Sequence, residues 1–162
     1  MALRGKAIIL AVISYAGILG TSMANPYSEK EYEAEELKMA EDLISKPQHK
    51  AIVIKNFSAD DYKKCYPFTA LGERMAADGK LDASNKAAIS GLEELGAISM
   101  AWSVVGGTNK EELKTIQQSA LALFKNDPKS YTDANMADCS KKSASIITLI
   151  MEGKGGKSAH KK

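Results

Sequence analysis

LGAISMAWSVVGGTN, the stretch from Leu95 to Asn109, carries no charged residue and continues a helical pattern that begins near Ala83. Its apolar side chains recur at three- and four-residue steps, which places them on one face of a helix. Those residues are Leu92, Leu95, Ile98, Trp102 and Val105, and Ile89, Ala97, Met100 and Val104 fall on the other side. Because a helix that is apolar nearly all round needs neighbours to cover it, the stretch predicts the central helix of a small bundle.

Amphipathic segments with recognisable start signals lie on both sides of this helix. Ser28 to Glu31 matches the S-x-x-E capping box, and Thr108 to Glu111 matches T-x-x-E. Ser58 and Asp82 are the predicted caps of the second helix and of the central helix. The last helix is predicted from about Thr132 to Met151, and its predicted inward residues are Met136, Cys139, Ser143, Ile146 and Ile150. About five helices with short connections predict an all-α fold, a single small bundle around one core.

Three interruptions leave the helix pattern less regular. Ala51 to Ile54 is a β-leaning run, but a strand needs a partner, so a buried extended segment and a short helix remain alternatives. Pro67 interrupts the pattern that starts at Ser58, and the helix is predicted to kink or restart there. Lys46 to Gln48, which contains a proline, is predicted to end the first helix.

The first 24 residues have the layout of a signal peptide. A short basic start precedes an apolar core from Ala7 to Leu19, and small residues follow up to Ala24. This pattern predicts cleavage between Ala24 and Asn25. An uncleaved membrane anchor is the alternative, but a spanning helix needs roughly 20 apolar residues and this core is shorter. We therefore expect residues 1–24 to be removed and the protein to be periplasmic or secreted.

Export changes the charge balance of the chain. The full chain carries a net charge of +2, and loss of Arg4 and Lys6 with the leader leaves it near neutral. Residues 153–162 form a basic tail, so the helical domain at residues 25–152 is mildly acidic. A Gly/Lys/Ser tail has no apolar residues to offset its ordering entropy and is predicted to be disordered. Contact of this basic tail with a membrane or a cell-wall polymer is the alternative to a purely solubilising role, whereas an acidic body argues against nucleic-acid binding.

The chain has only two cysteines, Cys65 and Cys139. In an oxidising compartment, an even pair far apart in sequence predicts one structural disulfide. Closing a loop of ~74 residues would stabilise the fold by roughly 4 kcal/mol in the chain-entropy model. A reactive or metal-binding thiol is the alternative, but neither cysteine lies in a C-x-x-C motif. The two histidines, His49 in a polar turn and His160 in the tail, are poor partners for a thiolate.

No motif for catalysis or cofactor binding stands out. The chain lacks H-E-x-x-H, G-x-S-x-G, a phosphate-binding loop and a haem-attachment motif. The adjacent carboxylates of Glu93 and Glu94, and those of Asp60 and Asp61, diverge by about 100° on a helix, so neither pair aims both groups at one substrate. We therefore expect no enzyme activity, no cofactor and no metal site.

The favoured interpretation is a non-enzymatic exported protein that binds another protein, as an inhibitor or an accessory factor. A signal peptide followed by a small helical domain with one long-range disulfide is similar in layout to periplasmic immunity proteins that neutralise cell-wall amidase toxins. This resemblance concerns architecture and assigns no binding residue. The acidic side of the first helix is the predicted contact surface for a basic partner, through Glu33, Glu35 and Glu36.

A small-ligand or lipid carrier is the second interpretation. Aromatic residues gather around Cys65, and the predicted pocket residues are Tyr62, Tyr66, Phe68 and Trp102. Such residues could line an apolar pocket, or they could simply pack the core around the disulfide. A periplasmic stress chaperone is a third interpretation. Small residues in the central helix, such as Gly96, allow close helix contact within one chain or between two, so the oligomeric state is left open.

Overall fold

The computed structural model describes residues 25–126 and 134–153 of the 162-residue chain. The predicted leader at residues 1–24 and the predicted basic tail from residue 154 onward lie outside the described residues. The predicted start of the last helix at Thr132 lies outside them as well. Export, cleavage and the proposed role of the tail therefore stay predictions.

Helices make up nearly all of the described chain. They are α1 (Glu29–Ser45), α2 (Pro47–Asn56), α3 (Ala59–Ala77), α4 (Lys86–Val105), α5 (Lys110–Asn126) and α6 (Ala134–Met151). The all-α prediction is confirmed, with six helices in the described part rather than about five. An isolated bridge between Pro26 and Asp82 is the only β-type pairing among the described residues. Backbone hydrogen bonds from Tyr27 to Leu81 and from Ala83 to Asn25 attach the lead-in to the loop between α3 and α4.

Helix α4 is central, as its charge-free stretch predicts. It contacts α1, α2, α3 and α6, and most of its residues are buried. The larger part of the core combines residues of α4 with residues of its neighbours: Leu43, Val53, Phe57, Phe68, Leu95, Ile98, Trp102, Met136 and Ile146. A smaller cluster joins Tyr32, Met75, Leu81, Ile89 and Leu92. Helix α5 packs mainly against α3.

The predicted N-caps are correct at two helices and wrong at two. The Ser28 hydroxyl caps α1 and Ser58 caps α3, each in a full capping box. Helix α4 begins later than predicted, because the Asn85 side chain accepts from the Ala88 amide at 3.4 Å. Asn109, rather than Thr108, caps α5, as described next.

Asn109 Oδ1 accepts from the Glu112 amide at 2.9 Å, and the Leu113 amide donates to the Asn109 carbonyl at 2.9 Å. Two cap residues stand side by side at this helix start, so the sequence pattern was ambiguous by one position. An Asn is at least as good an N-cap as a Thr, and the structure uses the Asn.

The segment after the first proline is a helix of its own. Pro47 ends α1 as predicted, but it also occupies the first turn of α2, where its missing N–H costs nothing. Ala51 to Ile54 therefore belongs to a helix and not to an extended segment. His49 lies in α2 rather than in a turn, with its Nδ1 3.0 Å from the Asp42 carbonyl oxygen.

Pro67 lies inside α3 without ending it. The helix is assigned without a break from Ala59 to Ala77, and Pro67 is buried. Of the two predicted alternatives, a kink or a restart, the restart is not observed. Because proline has no backbone N–H, one hydrogen bond of the helix is missing at this position.

The disulfide between Cys65 of α3 and Cys139 of α6 is confirmed, with a sulfur–sulfur distance of 2.05 Å. Both cysteines are buried. Met136, Ser143 and Ile146 share the buried face of α6 with Cys139, as predicted. Leu37 of α1 is 49% exposed, although it is a large apolar residue.

None of the helices in residues 25–126 and 134–153 has both the length and the apolar character needed to cross a membrane.

Candidate binding site

A carboxyl group lies on the buried face of α1. Tyr32, Glu36, Ala40 and Leu43 form this face, because steps of three and four residues return to the same side of a helix. Glu36 is only 3% exposed. A glutamate is rarely buried to this extent unless it is paired, so its surroundings need an explanation.

Two glycines make room for polar side chains of α1. A Cβ atom on Gly96 of α4 would lie 2.4 Å from Glu36 Oε1, and one on Gly72 of α3 would lie 2.5 Å from the Tyr32 hydroxyl oxygen. Any larger residue at Gly96 would push the carboxyl from its place. At Gly96, therefore, the absence of a side chain on α4 makes room for the Glu36 side chain of the same chain.

Unpaired polar atoms mark the same region. Among the described residues, three buried side-chain oxygens have no hydrogen-bond partner: the Tyr32 hydroxyl, Glu36 Oε1 and Glu93 Oε1. Most buried polar groups in proteins are hydrogen-bonded, and exceptions are often functional or bind an additional molecule. Two of the three, on Tyr32 and Glu36, belong to side chains that line the same surface cleft.

This cleft lies between α1 and α3 and has a volume of about 590 Å³. Four glutamates line it, together with the Tyr32 ring, apolar side chains and one arginine: Glu29, Glu33, Glu36, Glu73, Leu37, Ala70, Ala77, Met100 and Arg74. We call it the acidic cleft. Arg74 is its only cationic lining residue in the described chain, and its Nε donates to Asp78 Oδ2 at 3.3 Å. The cleft therefore offers an excess of negative charge beside apolar surface.

A smaller cavity of about 170 Å³ adjoins the acidic cleft, since Glu36, Glu73 and Met100 line both. Its other walls are largely polar and include Thr69 and Ser99, whose hydroxyl oxygens are 3.3 Å apart. The Glu36 carboxyl thus lies between an open cleft and a polar interior space.

Burial and neighbouring charges perturb these carboxyls. Desolvation, together with the charges of Glu73, Glu93 and Glu33, raises the pKa of Glu36 to about 8. Desolvation and the charge of Glu33 also raise the pKa of Glu73. Burial and the Glu36 charge raise the pKa of the Tyr32 phenol. Burial and the surrounding carboxylates therefore favour the protonated form of Glu36.

Glu93 of α4 is a second buried carboxyl nearby. Desolvation raises its pKa to about 7, although a hydrogen bond from Tyr27 opposes that shift. Desolvation, followed by the charge of Glu93 and the hydrogen bond to it, raises the pKa of Tyr27 to about 12. Glu94, next in the chain, accepts from the Ser90 hydroxyl at 3.3 Å. The two adjacent glutamates have different hydrogen-bond partners, as their divergence on the helix predicts.

The three residues predicted for partner contact differ in their exposure to solvent. Glu33 and Glu35 are exposed, but Glu36 is buried, so its predicted place on an exposed face is wrong. Glu33 lines the acidic cleft, whereas Glu35 lies outside it, 4.0 Å from Lys38. The periodicity of Tyr32, Ala40 and Leu43 already included Glu36 and was the signal that could have identified its burial.

The four predicted aromatic residues do not enclose one pocket. Tyr62 stacks on Trp102 and on Tyr66, with ring centroids 5.1 and 5.5 Å apart. Phe68 and Trp102 are buried in the core, while Tyr62 and Tyr66 line the 170 Å³ cavity. The Tyr62 hydroxyl accepts from Gln117 Nε2 at 2.7 Å. Much of the space between these rings is filled by the rings themselves.

A second cleft, of about 520 Å³, lies beside the disulfide and is rich in lysine. Lys64 donates to Asp138 at 2.7 Å, and Lys142 donates to Asp61 at 2.6 Å. These two ion pairs link α3 and α6 next to the disulfide. Because Lys64 and Lys142 are already paired with carboxylates, a structural role for this cleft is favoured.

The acidic cleft can accept a cation but shows no prearranged metal centre. No group of three or more Asp, Glu, His or Cys residues in the described chain has the arrangement of a metal site. Carboxylates beside apolar walls suit an organic cation, whose alkyl part needs apolar contact.

No protein-family model, curated protein or solved structure matches this chain. Functional inference therefore starts from the geometry of the acidic cleft.

Proposed function

We propose that this chain is an exported, non-enzymatic protein of the bundle type that acts by binding another protein, as an inhibitor or accessory factor. The acidic cleft between α1 and α3 is its contact surface for a basic partner. The observation that carries this proposal is the set of three exposed glutamates that line one cleft, Glu29, Glu33 and Glu73, with Arg74 as the only cation among the described lining residues. Complementary charge of this kind steers a basic partner and selects against acidic ones.

The apolar rim of the cleft supports a protein partner. Leu37 is largely exposed and lines the cleft with the partly buried Met100. Protein interfaces combine apolar contact at the centre with charge at the rim. Glu33 of α1 and Glu73 of α3 are exposed on the two sides of the cleft, where a partner can reach both.

Charge reversal on both sides of the cleft tests the proposal. The protein, purified from its native host after cross-linking, is expected to retain one partner at fixed stoichiometry. Glu33→Lys combined with Glu73→Lys should abolish that capture. The matched control is Glu41→Lys combined with Glu111→Lys, at exposed glutamates outside the cleft, and it should leave capture intact. Equal capture by both double variants would contradict the proposal. Glu36 is excluded from charge reversal because a buried lysine would test folding rather than binding.

The carrier alternative receives less support. The cavity beside Tyr62 and Tyr66 measures about 170 Å³, below the ~300–1,000 Å³ of most small-molecule sites. Native mass spectrometry of protein from its own host separates the two functions. A co-purified small molecule would favour a carrier, and a protein partner would favour the binding function.

A further inference from the structure

Two glutamates are buried in the region where α1 packs against α4. Glu36 of α1 is 3% exposed and Glu93 of α4 is 7% exposed. The Glu36 carboxyl group lies directly against Gly96, a position on α4 that has no side chain. Neither Glu36 Oε1 nor Glu93 Oε1 has a hydrogen-bond partner among the described residues. The contact between these two helices therefore encloses carboxyl groups that are incompletely hydrogen-bonded.

The charged groups that face Glu36 are themselves acidic. They are Glu73 of α3, Glu93 of α4 and Glu33 of its own helix, and all three oppose ionisation of the Glu36 carboxyl. Arg74 of α3 lines the same cleft but is not among the charges that act on this carboxyl. Helix α2 also packs on α1, and no described residue of α2 contributes such a charge. Ionised Glu36 would therefore add a negative charge to a region that is already negative.

Glu93 has similar surroundings. The charges of Glu35 on α1 and Glu94 on α4 oppose its ionisation, and only the hydrogen bond from the Tyr27 hydroxyl favours it. Burial, together with the charges named for each group, raises the pKa of Glu93 from 4.5 to about 7 and that of Glu36 from 4.5 to about 8. An ionised carboxylate needs hydrogen-bond donors or water at its oxygens. Both groups are therefore better accommodated in their protonated form as long as α1 lies against α4.

We propose that the contact between α1 and α4 depends on the protonated forms of Glu36 and Glu93, and that α1 separates from the other helices as these carboxyls ionise at neutral to alkaline pH. Separation exposes both carboxylates to water. It leaves α3 attached to α6, because the disulfide and the ion pairs of Lys64 and Lys142 join those two helices. Helix α1 supplies one side of the acidic cleft, so its separation also removes the cleft. The resulting loss of partner binding is the one consequence that rests on the proposed function.

Amide hydrogen exchange of the full-length protein between pH 5 and 9 tests this inference. Observed rates are divided by the intrinsic rates at each pH, so that the protection factors report opening alone. Protection of the α1 amides should fall as pH rises, by up to ~tenfold per pH unit for each carboxyl that ionises on opening. The fall should level off above about pH 8, where Glu36 is ionised in the packed state as well. Amides of α3 and α6 should stay at least ~tenfold more protected than those of α1 at every pH, because they exchange only on global unfolding.

Substitutions assign the pH dependence to the two buried carboxyls. Glu36→Gln keeps the shape of the protonated acid and cannot ionise, so protection of α1 should change little between pH 7 and 9. Glu93→Gln alone should make the fall below pH 7 shallower, and this variant still tests the inference should Glu36→Gln fail to fold. The double variant should give a nearly flat profile. Glu41→Gln, at an exposed position of the same helix, is the matched control and should reproduce the wild-type profile.

Three results would overturn the inference. Protection of α1 that does not fall with pH would show that the contact with α4 does not depend on protonation. Equal protection of α1, α3 and α6 would show global unfolding without separation of α1. Wild-type profiles for both Glu36→Gln and Glu93→Gln would place the responsible groups elsewhere. None of these results affects the proposed function, because capture of the partner is measured separately with the charge-reversal variants.

Discussion

Two buried tyrosines show how a single hydroxyl decides the effect of a substitution. The Tyr32 hydroxyl has no hydrogen-bond partner, whereas the Tyr62 hydroxyl accepts from Gln117. Tyr32→Phe should leave the free energy of unfolding unchanged or raise it by up to ~1 kcal/mol, because it removes an unsatisfied polar group. Tyr62→Phe should lower it by ~1 kcal/mol.

Urea unfolding of both variants beside the wild type checks this difference. A larger loss for Tyr32→Phe than for Tyr62→Phe would mean that the Tyr32 hydroxyl is hydrogen-bonded in solution.

The buried carboxyl of Glu36 should make stability fall as pH rises. Its pKa is raised from 4.5 to about 8, so the folded state holds the proton more tightly than the unfolded state. The resulting stabilisation is fully present below pH 4.5 and is lost as pH rises through about 8. The slope from this one group is at most ~1.4 kcal/mol per pH unit.

Thermal or urea unfolding between pH 5 and 9 measures this dependence. Glu36→Gln should flatten the curve, leaving a smaller decline from Glu93, whose pKa is about 7. Asp61 acts in the opposite direction: although burial opposes it, hydrogen bonds from Lys142 and Ser58 lower its pKa, so its contribution is lost at acidic pH. A profile of the wild type that rises from pH 5 to 8 would contradict the burial of Glu36.

At the scale of the helices, the start of each helix depends on its N-cap residue, and the sequence sometimes offers more than one candidate. At α1 and α3, a Ser is followed three positions later by an acidic residue in a capping-box pattern, and both predictions were correct. Before α4 and α5, several capping residues stand close together. The choice among them depends on where neighbouring helices place the first turn, which is a tertiary effect.

Substitutions at Asn109 and Thr108 measure which of the two residues caps α5. Asn109→Ala should lower the free energy of unfolding by ~1 kcal/mol, because it leaves the Glu112 amide without its acceptor. Thr108→Ala is the matched control and should cost no more than a few tenths of a kcal/mol. If the two substitutions have equal effects in denaturant titrations, the cap is shared between the positions.

At the scale of the whole molecule, the disulfide joins α3 to α6 through two cysteines that are 74 residues apart in sequence. Replacing both cysteines by alanine should lower the free energy of unfolding by ~2–4 kcal/mol, since the unfolded chain gains the entropy of an open loop. The double variant is needed because a single replacement leaves a free thiol. Denaturant unfolding with and without reductant measures the effect, and the variant should be insensitive to reductant. A loss below ~1 kcal/mol would mean that the interhelical ion pairs of Lys64 and Lys142 hold α3 against α6 by themselves.

The sequence by itself determined the all-helical class, the central position of α4, the cysteine pair and the side of α6 that faces inward. Each of these follows from composition or from the repeat of one helix, which is local information. The repeat of α1 already places Glu36 on the inward face of that helix, whereas tertiary structure alone decided that a carboxyl fits there and that the acidic cleft forms. The physical reason is that the burial of a polar side chain depends on the space that another helix leaves, here at Gly96 of α4, and no pattern within α1 contains that distance.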